Sequence, residues 1–297
     1  MDADALESVW RAALHAGLEA AGSDLRIADD DATFVYYGDT IDALVRGGAP
    51  PPVTVHLLES PAGAEALGEL PTAEAAFALA VAREVLASAG VDAPVQAEGF
   101  VADAILEALA ETLAAIDRFV PGLSGIVLLL LVRDVYAYLH DDEVRAVLDD
   151  GLAKAMPDDE PAIVVAHSLG SLVAYRVLRA DDGSRGWDVP VFLMLGSPLA
   201  ITAIRDVLQA EAPLRAPASV QRWVDARDPR DIFAVHGLTP AAFPLDPGSP
   251  VVEPLVVDNR APDHHEAAVE LDGVPVGYLA EAPVARVVAE AFERRPG

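Results

Sequence analysis

Cysteine is absent from the 297 residues. Disulfides, thiolate zinc sites and cysteine nucleophiles are therefore excluded, and nothing points to a disulfide-dependent secreted scaffold. Lysine is nearly absent too: Lys154 stands alone, and the other basic residues are arginines. Asp and Glu number 48 against 20 Lys and Arg, a formal net charge of -28. Such a surface repels nucleic acid and anionic bilayers, so neither is expected as a direct partner. It is a well-hydrated surface that suits a cytoplasmic protein. The first residues, Met1-Asp2-Ala3-Asp4-Ala5-Leu6-Glu7, lack the positive n-region of a secretory signal. Long apolar runs are missing as well. The longest, Ile126 to Val132, is followed by Arg133-Asp134 and is too short to span a bilayer, so it reads as part of a buried helix and no transmembrane segment is expected. There is no internal repeat.

What is present is a large apolar share, 53% of the residues, enough for a sizeable core. Apolar β-branched runs bounded by glycine or proline occur at 163–166, 189–195 and 220–225, and Thr33 to Tyr37 reads as a further short strand. Helical periodicity marks 4–21, 40–46, 100–119, 124–139 and 283–294, and Thr72 to Ala89 reads as a helix with Thr72 as its N-cap. Asp141 or Asp142 is positioned to cap another helix running to about Lys154. Alternating strands and helices predict an α/β fold, a mostly parallel sheet with helices on both faces. We read residues 1–297 as a single domain. Within it, 48–98, with Gly47-Gly48-Ala49-Pro50-Pro51-Pro52 at its start, reads as a lid or peripheral insertion. The segment 237–262 is rich in proline and short of pattern.

One stretch carries chemistry: Pro161-Ala162-Ile163-Val164-Val165-Ala166-His167-Ser168-Leu169-Gly170-Ser171. A buried strand runs into a helix through Ala166-His167-Ser168-Leu169-Gly170, the G-x-S-x-G nucleophile elbow with alanine in its first glycine position. A serine on so sharp a turn must adopt a strained backbone to push its hydroxyl clear of the sheet, and only small residues fit two places before and after it. The helix that follows begins at the serine and points its free N–H groups at charge developing on a substrate, with the amide of Leu169 as first oxyanion donor. Against this stands the plainer possibility that Ser168 merely caps the helix.

An elbow serine needs a base, and the base an orienting carboxylate, in the chain order Ser, Asp or Glu, His. After the strand at 220–225 come Asp228 and Asp231, with Asp231 preferred because an apolar pair, Ile232-Phe233, follows it. Either aspartate could instead pair with Arg227 or Arg230. Beyond position 236 the only histidines are His264 and His265, of which His265 is favoured as base; neighbouring side chains diverge, so only one reaches Ser168. His167 reads as packing around the elbow. The adjacent histidines lack a third ligand at metal-site spacing, so neither metal nor cofactor is expected.

The motifs Val164 to Ser171, Leu195-Gly196-Ser197-Pro198-Leu199, Trp223-Val224-Asp225 through Asp231, and His264/His265 with Gly277-Tyr278-Leu279 together resemble bacterial α/β-hydrolases of the lipase-like serine esterase type. The likeness covers 160–297. Residues 4–40, with Trp10 and Tyr37-Gly38-Asp39, are similar to the family's first helix and second strand, and 48–98 matches nothing in it. The resemblance implies Ser168 as nucleophile, Asp231 as acid, one of the two histidines as base, and cleavage of carboxylic esters, including small-molecule and lipid esters. A non-catalytic binding or regulatory protein of the same fold, or an acyl transferase with the same triad, are the alternatives. The sequence departs from the family at its start. It begins on the helix that would follow the family's opening strand, whose His-Gly loop supplies a second oxyanion amide. Loss of one such donor costs about 100- to 1000-fold in turnover. A sheet without that strand exposes the edge of the elbow strand, so compensation by 53–58, pairing with a second copy in a homo-oligomer, or instability is expected.

Overall fold

The computed structural model describes residues 3–46, 70–92, 102–120 and 124–294. The stretch 53–58 and most of the expected insertion lie outside the described residues. The chain is mixed α/β and divides into two compact units, one formed by 1–36, 147–200 and 204–297 and the other by 37–146 with 201–203.

The first unit is built on a four-stranded parallel sheet in the order β1-β2-β3-β4: β1 Val164–His167, β2 Val189–Leu195, β3 Val220–Arg227 and β4 Glu253–Val256. Register is set by pairs such as Val164 with Phe192, Phe192 with Trp223, and Val224 with Glu253. The alternation of a two-sided strand explains its layering. Val191, Leu193, Leu195, Val224 and Ala226 share one cluster with Ala13 and Leu18 of α1 (Ala3–Ala20) and Val284, Val287 and Val288 of the last helix (Ala282–Glu293). On the opposite face Phe192 stacks on Trp223, and Trp223 stacks on Tyr175 of the helix Leu169–Ala180, which leaves β1 at Ser168. The described sheet therefore has helices on both faces, and β1, the strand that carries the elbow, is its outer member.

The sequence misplaced three features. Thr33 to Tyr37 is not a strand; it is irregular chain whose Phe34 packs edge-on to Trp10 at 5.2 Å and stacks on Tyr36. The proline-rich segment 237–262 contains β4, whose Pro254 is tolerated because β4 lies at the other edge of the sheet. Further on, β5 (Val269–Leu271) and β6 (Val274–Val276) form an antiparallel hairpin closed by Asp272-Gly273, both with positive φ (52° and 77°).

The second unit is helical. It contains α2 Gly38–Arg46, α3 Thr72–Ser88, α4 Ala102–Phe119 and α5 Gly125–His140. Thr72 is the first residue of α3 rather than its cap, with Pro71 in the flanking place. Apolar faces meet through Leu79, Val85 and Leu86 of α3, Leu109 and Leu113 of α4, and Leu128 and Leu129 of α5, all buried. Glu74 and Arg133 pair at 2.8 Å across α3 and α5. The helix α6 (Asp142–Ala155) is capped by Asp141, whose carboxylate accepts from the amides of Glu143 and Val144 at 2.8 and 3.2 Å. Following β1, we label the helices Leu169–Ala180, Thr202–Glu211 and Ala282–Glu293 as α7, α8 and α9. Among the described residues, no helix is long and apolar enough to cross a membrane.

Gly17 on α1 matters to the arrangement around the short turn Tyr278–Ala280. A Cβ placed there would lie 2.4 Å from the carbonyl oxygen of Leu279. Gly17→Ala must therefore push α1 off that turn, and the unfolding free energy measured by denaturant titration should fall by about 1–3 kcal/mol.

Candidate active site

The elbow is built as the sequence implies. Ser168 joins β1 to α7 with φ 50° and ψ −125°, a conformation that non-glycine residues rarely adopt. It is over-determined on both sides. The Ser168 amide donates to the Leu195 carbonyl on β2 at 3.1 Å, and the Ser171 amide donates back to the Ser168 carbonyl at 2.9 Å. Ser171 is fully buried, and its hydroxyl donates to the Ala166 carbonyl at 3.1 Å, which ties the first turn of α7 to the strand beneath it. The amide of Leu169 heads α7, beside the Ser168 side chain.

The structure brings Ser168, His265 and Asp231 together. His265 Nε2 lies 3.0 Å from Ser168 Oγ, and His265 Nδ1 lies 3.0 Å from each oxygen of Asp231. An ionised carboxylate only accepts, so Nδ1 carries the proton and Nε2 of the neutral ring is left to accept from the serine hydroxyl. Asp231 is 1% exposed and His265 5%. Burial would lower the histidine's pKa, but the carboxylate outweighs it and holds the ring above the usual histidine value. Burial would raise Asp231; the imidazolium and the hydrogen bonds from His265, Tyr278 and Phe233 prevail and hold it below the carboxylate range.

Asp228 and His264 are not brought to the serine. The Asp228 carboxylate is gripped by Arg230, with its amide at 2.8 Å, Nε at 3.0 Å and Nη2 at 2.6 Å, and by the Asn259 amide at 2.6 Å. His264 has φ 59°, and its Nδ1 donates to the Asn259 carbonyl at 2.8 Å. Asn259 organises this loop: its amide nitrogen Nδ2 donates to the carbonyls of His264 and Glu266, and its Oδ1 accepts from the Ala261 amide. Among the described residues no group of His, Asp or Glu side chains is arranged to hold a metal ion.

Sequence reasoning missed several contributors. His167 does more than pack. Its Nε2 lies 2.7 Å from the His265 carbonyl, to which it can only donate, and its ring lies 4.7 Å from that of His265. Burial, then the charge of His265, pushes His167 down to about 3, so it stays neutral. Gly196, at the end of β2 with φ 57°, has no room for a side chain: a Cβ would meet Asp231 Oδ2 at 2.6 Å, Tyr278 at 3.0 Å and His265 Nδ1 at 3.1 Å. The visible signal was a glycine directly after a buried strand. Phe233 covers the His265 ring at 4.5 Å. Tyr278, in the sequence only one member of the Gly277-Tyr278-Leu279 motif, donates to Asp231 Oδ2 at 2.6 Å.

No protein-family model matches the chain, and neither a curated protein nor a solved structure matches it.

A cavity among the described residues lies elsewhere. It measures about 690 Å³, lies around the C-terminal end of α7, and is lined by Arg176, Arg179, Arg185 and Arg215 among others, sharing no residue with the triad. These arginines have local work. Arg215 donates to the Arg179 carbonyl and Arg179 to the Leu208 carbonyl, the last turns of α7 and α8, and both Arg176 and Arg179 pair with Glu211. Cations there complement helix C-termini.

Behind the triad, Asp225 on β3 is 4% exposed and accepts from the Leu238 amide at 2.9 Å. Burial pushes its carboxyl up from 3.8 to about 6. A raised folded-state pKa means that the folded chain binds the proton more tightly than the unfolded one. This stabilisation is therefore full below pH 4 and is lost as pH rises toward 6. Asp225→Asn removes the titration. The stability of the variant relative to the parent should rise by about 2–3 kcal/mol between pH 4 and pH 7 in paired denaturation curves.

Proposed function

We propose that the chain is a serine hydrolase of the α/β-hydrolase fold that cleaves carboxylic esters. The observation that carries this reading is the unbroken chain from Ser168 Oγ through His265 to Asp231, each link at 3.0 Å, with the serine on a strained strand-to-helix turn. In this reading His265 Nε2 takes the Ser168 proton as the oxygen attacks the ester carbonyl. The carbonyl oxygen becomes an oxyanion against the Leu169 amide at the head of α7. His265 then gives its proton to the departing alcohol, leaving an acyl-serine. Water enters and attacks the acyl carbon as His265 takes its proton; the bond to Ser168 Oγ then breaks, His265 returns the proton to Oγ, and the acid is released with Ser168 restored. Asp231 holds the ring in the Nδ1–H tautomer and stabilises the imidazolium; it keeps its own charge throughout.

The direct test is labelling with a fluorophosphonate and mapping of the modified residue. Ser168 should carry the label, and Ser168→Ala should lose both labelling and ester turnover while its circular dichroism is unchanged; labelling that persists on another serine would refute the assignment. His265→Ala should be equally inert, whereas His264→Ala should still be labelled. Asp231→Asn should lower kcat by about 10⁴-fold through the wrong tautomer.

The base must be neutral to act, and His265 is held above the usual histidine value. Activity should therefore fall as pH drops through a limb lying above about 6.5. In Asp231→Asn the residual activity should show that limb at lower pH. A pH profile of kcat/KM for both proteins checks the sign.

A further inference from the structure

Tyr278 is a buried titratable group in direct contact with Asp231 that the mechanism above does not use. It is fully buried, and its hydroxyl stands between the two aspartates that competed for the acid's role. The Asp228 amide donates to the hydroxyl at 3.0 Å, and the hydroxyl lies 2.6 Å from Asp231 Oδ2. An N–H can only donate, so the phenol must accept there. Its single proton is then committed to Asp231, which can only accept. The direction of the relay is fixed by these two partners.

Both ends are anchored. The Asp228 amide is held in place because the Asp228 carboxylate is clamped by Arg230 and Asn259, and Arg230 also bonds Asp258. The tyrosine is delivered by its own backbone. The Tyr278 amide donates to the Glu266 carbonyl at 3.1 Å and the Leu279 amide to the Ala267 carbonyl at 3.0 Å, directly after the histidine. Gly196 leaves the space into which the ring fits, 3.0 Å from its missing Cβ.

We propose that Tyr278 is a positioning residue that sets the orientation of Asp231 and, through it, the basicity of His265. The proposal rests on the serine-hydrolase reading for its catalytic consequence. The phenol aims the positive end of its O–H at a carboxylate that also accepts from the Phe233 amide at 2.9 Å and the Ala234 amide at 3.3 Å. Each donor withdraws some of the negative potential felt at the imidazole. Removing the phenolic proton makes Asp231 a stronger partner for the imidazolium and raises the pH at which His265 titrates. Strengthening the donor lowers it. The other titratable and charged groups facing the pair are His167 from the elbow strand, Asp225 behind Asp231, Asp263 and Glu266 on the histidine's own loop, and Asp228 with Arg230 beyond the phenol. None of them changes in the variants below.

The experiment compares Tyr278→Phe with the parent by two readouts on the full chain: NMR titration of the His265 imidazole nitrogens, and the pH dependence of kcat/KM on a p-nitrophenyl ester. In Tyr278→Phe the titration should move up by about half a unit or more. At the pH optimum, kcat should fall by about 10- to 100-fold with little change in KM, as expected for a lost hydrogen bond to an ionised group. A merely structural tyrosine would lower stability and leave the titration where it was; that result overturns the proposal. If Tyr278→Phe does not fold, 3-fluorotyrosine placed at 278 keeps the shape and donates more strongly. It should move the His265 titration down, and no movement overturns the proposal equally. The two readings fail separately. A chain that turns over no ester yet shows the titration shift keeps the role of Tyr278 and loses the esterase; an active chain with an unmoved titration does the reverse.

Discussion

The site is organised by the need to keep one buried carboxylate ionised. Asp231 is 1% exposed, and removing such a charge from water costs several kcal/mol unless hydrogen bonds replace the solvent. Those donors are the amides of Phe233 and Ala234 on its own loop and, from further along the chain, the ring of His265 and the hydroxyl of Tyr278. Each demands a backbone arrangement. The loop after β3 must turn back on its own aspartate. The turn 278–280 must pack under α1, where Gly17 admits it. Gly196 must be without a side chain, because the carboxylate and its two ring partners already occupy that space.

The parallel sheet makes this convergence possible. Four strands running the same way end on the same side, and each contributes one part at its carboxyl end: β1 leads to Ser168, β2 to Gly196, β3 to Asp228 and Asp231, and β4 to Asn259 and the histidine loop. Ligand sites in open α/β sheets lie at these ends for the same reason. The elbow strand gains from lying beside β2, because the Leu195 carbonyl accepts the Ser168 amide and so helps hold the strained serine.

What was legible in the sequence was local. The elbow could be read because strand, small residues, serine and helix are contiguous, and 189–195 because a run of apolar residues between Asp188 and Gly196 leaves little choice. The hairpin 269–276 carried its own signal, Asp272-Gly273 between short β-prone runs. β4 was hidden by Pro254, since a proline normally argues against a strand, and only the edge position in the assembled sheet removes the objection. Thr33 to Tyr37 had strand composition, but its aromatics pack on Trp10 without a neighbouring strand to pair with among the described residues. In the sequence Asp231 stands out from Asp228 only by the apolar pair that follows it, because both lie beside arginines, and the partner that separates them, His265, is 34 residues beyond Asp231. His264 and His265 differ in role because a positive φ at His264 turns its ring to Asn259, a backbone property no local pattern announced.

The division of labour between the two aspartates follows from electrostatics. Arg230 neutralises Asp228, and that pair serves as an anchor whose net charge is close to zero. The same guanidinium on Asp231 would stabilise the carboxylate just as well but would cancel the potential that raises His265. Neutral donors solve the problem differently: they hold the ion in place while leaving its charge available to the imidazole. The two neighbouring histidines, His167 and His265, show the complementary half of the arrangement. They lie 4.7 Å apart, yet burial pushes His167 down to about 3 while Asp231 lifts His265. One ring is thus kept neutral as a fixed donor to the other's backbone, and the other is free to take up a proton without a like charge beside it. Titratable neighbours whose environments drive their pKa values apart are the pattern expected where one of them moves protons.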